Sequence, residues 1–256
     1  MPADLYTTQY YTQHCGGYEQ WTESGGSRSA GAYEYFLTFA ALAPGEVVVD
    51  IGTGRGELLA VAVERGAARA IGIEYAEAAV ELAQQTLRVR GVEDKAVVLS
   101  ADARKIPLED SSADLVMLLD VVEHLSPAEL AAVLDEAHRI LRSQGRVVAH
   151  TMPTSTIRKL YTFQRLIVPG RWRRWPRDPR NRHERSMHVN EQTRARLHRA
   201  LRRAGFRPTV SYGAWVFPDY VPASDERARR TYARLARFRL TRRFAVCNLF
   251  ALAVKQ

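Results

Sequence analysis

Apolar positions along the chain switch between two periods. Val47-Val48-Val49-Asp50-Ile51 is a short β-branched run ending in Gly52-Thr53-Gly54-Arg55-Gly56, and Glu57 to Arg65 then carries helical apolar spacing closed by Gly66. The unit recurs: Ala70 to Glu74 reads as a second strand, Ala76 to Arg90 as a helix stopped by Gly91, and Ala96 to Ser100 as a third strand. Ala113 to Leu119 is nearly all apolar, as a strand covered on both faces should be. Ser126-Pro127 opens a helix to Arg142, and Arg146 to Thr151 follows as a fifth strand. Parallel returns need crossover helices, so the alternation predicts an α/β fold with a doubly wound, Rossmann-like, mostly parallel sheet.

The regular alternation stops after residue 151. Residues 152–190 contain prolines and arginine clusters without a steady period, too long for an ordinary connection, and are expected to form a lid. Within it, Lys159 to Val168 has helical apolar spacing and is followed by Arg171-Trp172-Arg173-Arg174-Trp175. Such a segment suits a membrane interface, stacked bases, an aromatic substrate or packing against the sheet edge. Thr193 to Ala204 reads as a helix, Thr209 to Val216 and Ala245 to Lys255 as strands, and Asp225 to Arg239 as helical between them, for seven strands in all. Four sections result: an N-terminal lid and helical segment over 1–44 that includes the apolar helix Ala32 to Leu42, a core over 45–151, a lid over 152–190, and a completion of the sheet over 191–256.

Charge separates the two ends of the chain. Residues 1–150 hold 12 Lys and Arg against 22 Asp and Glu, whereas 151–256 hold 25 against 6. A basic surface of that size favours an anionic partner, or is a solvated arginine face. Two cysteines exclude a disulfide framework, no charged and apolar leader opens the chain, and no run approaches the roughly 20 apolar residues of a membrane span. A cytoplasmic protein is expected.

The candidate chemistry starts at the first glycine turn. A dinucleotide fingerprint needs Gly or Ala where this chain has Glu57, and Asp50 would repel phosphate while attracting an ammonium or sulfonium. Glu74, ending the second strand, offers two acceptor oxygens to a ribose. In these residues the chain resembles the class I S-adenosylmethionine-dependent methyltransferases over about residues 45–151. The resemblance implies that Asp50, Gly52, Gly54 and Gly56 surround the methionine part of S-adenosylmethionine, that Glu74 holds the ribose, and that Asp102, beside Ala103, reaches the adenine. It also places Asp120 at the junction of cofactor and acceptor. Tyr11 or Tyr18 could bond the cofactor carboxylate.

Beyond the fourth strand, Asp120-Val121-Val122-Glu123-His124 resembles the Glu-x-x-Glu-His segment of the ubiquinone-biosynthesis O-methyltransferases, the nearest subgroup, and of the small-RNA 2′-O-methyltransferases. There the acids and histidine, with a downstream histidine, are associated with a divalent metal beside the acceptor hydroxyl. Here Asp120 has a shorter reach than the Glu it replaces, and the downstream histidine could be His183 or His188. Glu123, His124 and His183 are the metal candidates, for Mg²⁺ or Zn²⁺, and His124 and His183 the bases of a metal-free reaction. His14, His138 and His198 read as surface residues, and His150 as a satisfied group at the edge of the core that could face the acceptor. The expectation is O-methylation of a small molecule such as a phenol, a sugar or a secondary metabolite, of anionic or aromatic character, with peripheral membrane contact open. An RNA 2′-O-methyltransferase and a non-catalytic binding module are the rivals.

Overall fold

Glycines and caps set the element boundaries. The computed structural model describes residues 6–152, 182–213 and 248–256, with the single residues 158, 162, 178, 230 and 234, and excludes the side chains of 182–184. Apart from the single residues 162, 230 and 234, the expected helical stretches over 159–168 and 225–239 lie outside the described residues, as does the Arg-Trp cluster over 171–175. The segment over 1–44 forms three helices among its described residues, α1 (Thr8–Gln13), α2 (Tyr18–Ser24) and α3 (Ala32–Phe39). Then follow β1 (Val47–Ile51), α4 (Glu57–Glu64), β2 (Arg69–Glu74), α5 (Glu77–Arg90), β3 (Ala96–Ser100), β4 (Ala113–Leu119), α6 (Pro127–Ile140) and β5 (Leu141–Thr151). Helices α7 (Arg182–Met187) and α8 (Arg194–Arg203) precede the antiparallel pair β6 (Phe206–Tyr212) and β7 (Leu249–Lys255).

The seven described strands form one sheet in the order β3-β2-β1-β4-β5-β7-β6. The first five are parallel and β7 runs antiparallel to both its neighbours. Strand order reverses between β1 and β4, which opens a crevice at their carboxyl ends, where an open α/β sheet takes its ligand. Alternate residues feed two apolar layers. Ile51, Ile71, Val116 and Leu118 pack with α6 and α8 on one face, and Val48, Leu115, Met117 and Phe250 with α3 and α4 on the other. At the start of α6, Ser126 Oγ accepts from the Glu129 amide and Glu129 returns a bond to the Ser126 amide, a reciprocal cap that fixes the chain just beyond the crevice.

Several boundaries depart from expectation. Helix α6 stops at Ile140, two residues early, and β5 begins at once; Gln144 at φ +63° makes the local kink, and the pairing with β4 shifts between Ala113–Leu141 and Leu115–Arg146. Strand β6 starts at Phe206 because Gly205, at φ +86°, ends the preceding helix directly. Its Pro208 is tolerated on an edge strand. Helix α3 ends at Phe39, before Ala41 at φ +51°.

Candidate active site

The turn after β1 is built for close approach. Gly52 has φ +74°, and a Cβ there would lie 2.6 Å from Val121 Cγ2, so only glycine lets the loop after β4 rest on the turn. Asp50 is buried, and its carboxylate accepts from Thr53 Oγ1 at 2.8 Å. Burial, with the nearby Glu74 carboxylate adding to it, pushes Asp50 up to about 7. Glu74 accepts from the amides of Tyr75 (2.9 Å), Ala76 (3.0 Å) and Gly54 (3.1 Å), bracing the same turn; burial still pushes its carboxyl upward. Asp102 is half exposed and engaged by Arg104 at 2.5 Å, which holds it below the usual carboxylate range.

Asp50, Gly52, Gly54, Glu74, Asp102, Ala103 and Asp120 all line one cavity of about 1010 Å³. Gly56 packs its Cα face against Ala83 of α5 instead. The N-terminal segment closes the cavity from the opposite side, with Tyr6, Tyr10 and Tyr11 in edge and tilted ring contacts and Tyr11 beside Gly54. Tyr18 is not among the lining residues. The segment is anchored by Arg55, which donates to the carbonyls of Tyr11 and Gly16 at 2.7 Å and pairs at 2.7 Å with Glu57; both charged side chains are 1% exposed. Tyr33 donates to the same Glu57 carboxylate at 3.2 Å. The cation of the glycine turn is therefore spent on holding the roof. The turn itself presents carboxylates, which suits the ammonium and sulfonium of S-adenosylmethionine and opposes a pyrophosphate.

Past Asp120 the cavity meets a second set of groups. Ligating atoms of Glu123, His124 and His188 lie within 4.8 Å of one another, and the two imidazoles meet edge to face with centroids 4.9 Å apart. Of the two downstream histidines, His188 is the one brought here; His183 lies on α7 with its side chain outside the described residues. Burial, aided by the Asp120 charge, pushes Glu123 up to about 8. Burial, aided by His188, pushes His124 down to about 4. The Tyr6 hydroxyl is 3.0 Å from His124 Nδ1. Asp120 itself, three residues before Glu123, sits at φ +54° and turns toward His150 of β5, 2.9 Å away.

Some of this could not be read from the chain. Tyr6 carries no local signal for its role, since it meets His124 across 118 positions, and Arg55 reaches the carbonyls of Tyr11 and Gly16 across 44 and 39. His14 is exposed at the cavity rim, as a surface reading implies, but His138 packs edge to face on Phe206 with centroids 5.2 Å apart.

A model of the methyltransferase domain matches residues 49–149. The 27-O-demethylrifamycin SV methyltransferase of Amycolatopsis mediterranei is 32% identical over 106 residues, 41% of this chain and 38% of that protein. The chain spans between 28% and 38% of the length of the first curated relatives it matches. Among solved structures, a methyltransferase in complex with the Trm112 methyltransferase activator of Haloferax volcanii superposes with a TM-score of 0.62 at 19% identity, over 96% of both chains. Geranyl diphosphate methyltransferase in complex with S-adenosylmethionine gives 0.61 at 19% identity, over 95% of this chain and 92% of that one. At such identities the likeness is one of fold, and the ubiquinone-biosynthesis subgroup is not singled out by any of these relatives. Residues 49–149 match the methyltransferase domain family, and the fold is that of the class I S-adenosylmethionine-dependent methyltransferases.

Proposed function

We propose that the protein is an S-adenosylmethionine-dependent methyltransferase that acts on the hydroxyl oxygen of a small molecule. One observation carries this reading: the acids of the cofactor turn and the Glu123, His124 and His188 cluster open into the same cavity, separated by Asp120. Bound S-adenosylmethionine would supply an activated methyl group whose sulfonium already carries its leaving group, so the protein contributes alignment and removal of the acceptor proton. Glu74 takes the ribose, Asp50 the amine and Asp102, beside Ala103, the adenine, with Tyr11 at the roof. His124 takes the proton. In the tautomer that donates Nδ1–H to the Tyr6 hydroxyl oxygen, Nε2 keeps its lone pair for the acceptor. Burial keeps this imidazole neutral before the reaction.

The donor set of one carboxylate and two imidazoles also fits a divalent ion. Glu123 Oε2 is buried with no hydrogen-bond partner among the described residues, and Glu123, His124 and His188 would hold Mg²⁺ or Zn²⁺, which would lower the acceptor's pKa. His183 remains a candidate for the same work from α7. The test is turnover with a phenolic probe, catechol, and labelled cofactor. His124→Ala is expected to leave cofactor affinity intact and lower turnover by about a hundredfold or more; unchanged turnover would remove His124 from the reaction. Loss of activity on chelation, restored by one metal, would assign the ion.

A second reading rests on α8, whose Arg194, Arg196, Arg199, Arg202 and Arg203 are all exposed. An RNA acceptor would use that ridge and bind with a steep salt dependence, whereas a small acceptor turns over independently of salt.

A further inference from the structure

His150 is a core residue with the surroundings of a charged group. It is 5% exposed on β5, packs against the mutually contacting rings of Phe36 and Phe250 with centroids 5.0 and 4.8 Å away, and has an oxygen near each ring nitrogen. Nδ1 is 2.9 Å from Asp120 Oδ1 and Nε2 is 2.8 Å from Asn248 Oδ1. The close carboxylate favours the imidazolium as its counter-ion, although Nδ1 is not aligned for a hydrogen bond to it, and the Nε2 contact suits either protonation state.

Its partner is held in an unusual backbone. Asp120 is one of four described non-glycine residues at positive φ, and its amide donates to the His150 carbonyl at 3.0 Å, so the two residues are joined through backbone and side chain alike. Aspartate enters the left-handed region more readily than most side chains, and its contacts with His150 hold it there. What this conformation achieves is placement. Val121, the next residue, rests on Gly52 of the cofactor turn, while Glu123 and His124 begin the acceptor cluster. The Asp120 side chain keeps 54% of its surface open to the cavity between them. Burial opposes the charge of each group, yet each partner outweighs it for the other: the carboxyl is held below its ordinary range and the imidazole above.

We propose that His150 is a positioning residue: by its ion pair it fixes the Asp120 carboxylate where cofactor meets acceptor, and that carboxylate distinguishes the sulfonium of the methyl donor from the neutral thioether product. The inference rests on the methyltransferase reading above and adds a part to it. A carboxylate fixed at this point attracts the cationic donor and has no such hold on S-adenosylhomocysteine, so bound product leaves more readily than donor. Without the imidazolium, Asp120 loses the side-chain partner that aims its carboxylate and the nearby positive charge that favours its ionised form.

Calorimetric titration separates the two claims without any acceptor. S-adenosylmethionine and S-adenosylhomocysteine are titrated into the full chain and into Asp120→Asn, His150→Gln and the double variant. The ratio of the two dissociation constants, product over donor, is expected to fall by about fivefold in each single variant, and no further in the double, while affinity for the product stays near wild type. A role in packing alone would lower both affinities together and add to Asp120→Asn. An unchanged ratio in His150→Gln, equal loss of both ligands, or additive losses in the double variant would each overturn the inference. Should His150→Gln not fold, His150→Asn carries the same comparison in a smaller side chain. Failure of the wild-type chain to bind either ligand would refute the methyltransferase reading and the inference with it, whereas normal binding with an unchanged ratio refutes the inference alone.

Discussion

Replacing Arg55 by alanine should do more damage than replacing any residue that merely lines the cavity. The guanidinium is buried and joins three things: the Glu57 carboxylate at 2.7 Å and the carbonyls of Tyr11 and Gly16, both at 2.7 Å. Arg55→Ala leaves the Glu57 charge buried with the Tyr33 hydroxyl at 3.2 Å and the Ala30 amide to stabilise it. Breaking a buried pair from one side costs about 3–5 kcal/mol, and the two carbonyls lose charge-assisted bonds as well. Denaturant unfolding of the variant should show a loss in that range. Arg55→Met with Glu57→Leu removes both charges, so stability should return to within about 1 kcal/mol of wild type. The roof would still lack its anchor, and limited proteolysis should then cut within residues 6–30 in the double variant while the core stays intact. A single variant that loses less than about 1 kcal/mol, or a double variant whose N-terminal segment is as protected as wild type, would refute the reasoning.

Asp50 gives the cofactor site a pH dependence. Its folded pKa of about 7 lies above the ordinary carboxylate value of 3.8, so its contribution to ligand-free stability is full below about pH 4 and is lost as pH rises through 7. The ionised form is the one that attracts the cofactor ammonium, so affinity should rise about tenfold from pH 6 to pH 8, and titration of Asp50→Asn should show a flat profile. Gly52→Ala places a Cβ 2.6 Å from Val121 Cγ2 at φ +74°; thermal unfolding should report a loss of about 1–3 kcal/mol, and stability equal to wild type would mean that the turn and the loop after β4 are not in contact.

The core of the fold was legible because each parallel strand is short, apolar and closed by glycine. β1, β3 and β4 fall on the residues their composition predicts, and the strand-end acids follow from that register. Boundaries slipped where the backbone turns without glycine or proline to mark it, as at Gln144 and Ala41, because a positive φ on an ordinary residue leaves no trace in the pattern. The turn that lines one side of the cavity was readable from local spacing, since Asp50, Gly52 and Gly54 are neighbours in sequence. On the far side of the cavity, Asp120, Glu123 and His124 were legible as one segment after β4, whereas the groups that meet them, Tyr6 before α1, His150 on β5, His188 after α7 and Asn248 before β7, arrive from separate elements. Nothing near His150 distinguishes it from a core histidine. Only the pairing of β4 with β5, which sets Leu119 opposite His150, puts it beside Asp120. The choice between His183 and His188 was likewise beyond spacing, as both follow the lid and precede α8.

Titration of S-adenosylmethionine into the wild-type chain and into Glu74→Ala bears most directly on whether this cavity is a cofactor site. Saturable binding of one molecule per chain, with a thermal shift that Glu74→Ala abolishes, is the expected result. Binding of equal strength in both proteins, or a wild-type chain that takes up a nicotinamide dinucleotide and leaves S-adenosylmethionine unbound, would contradict it.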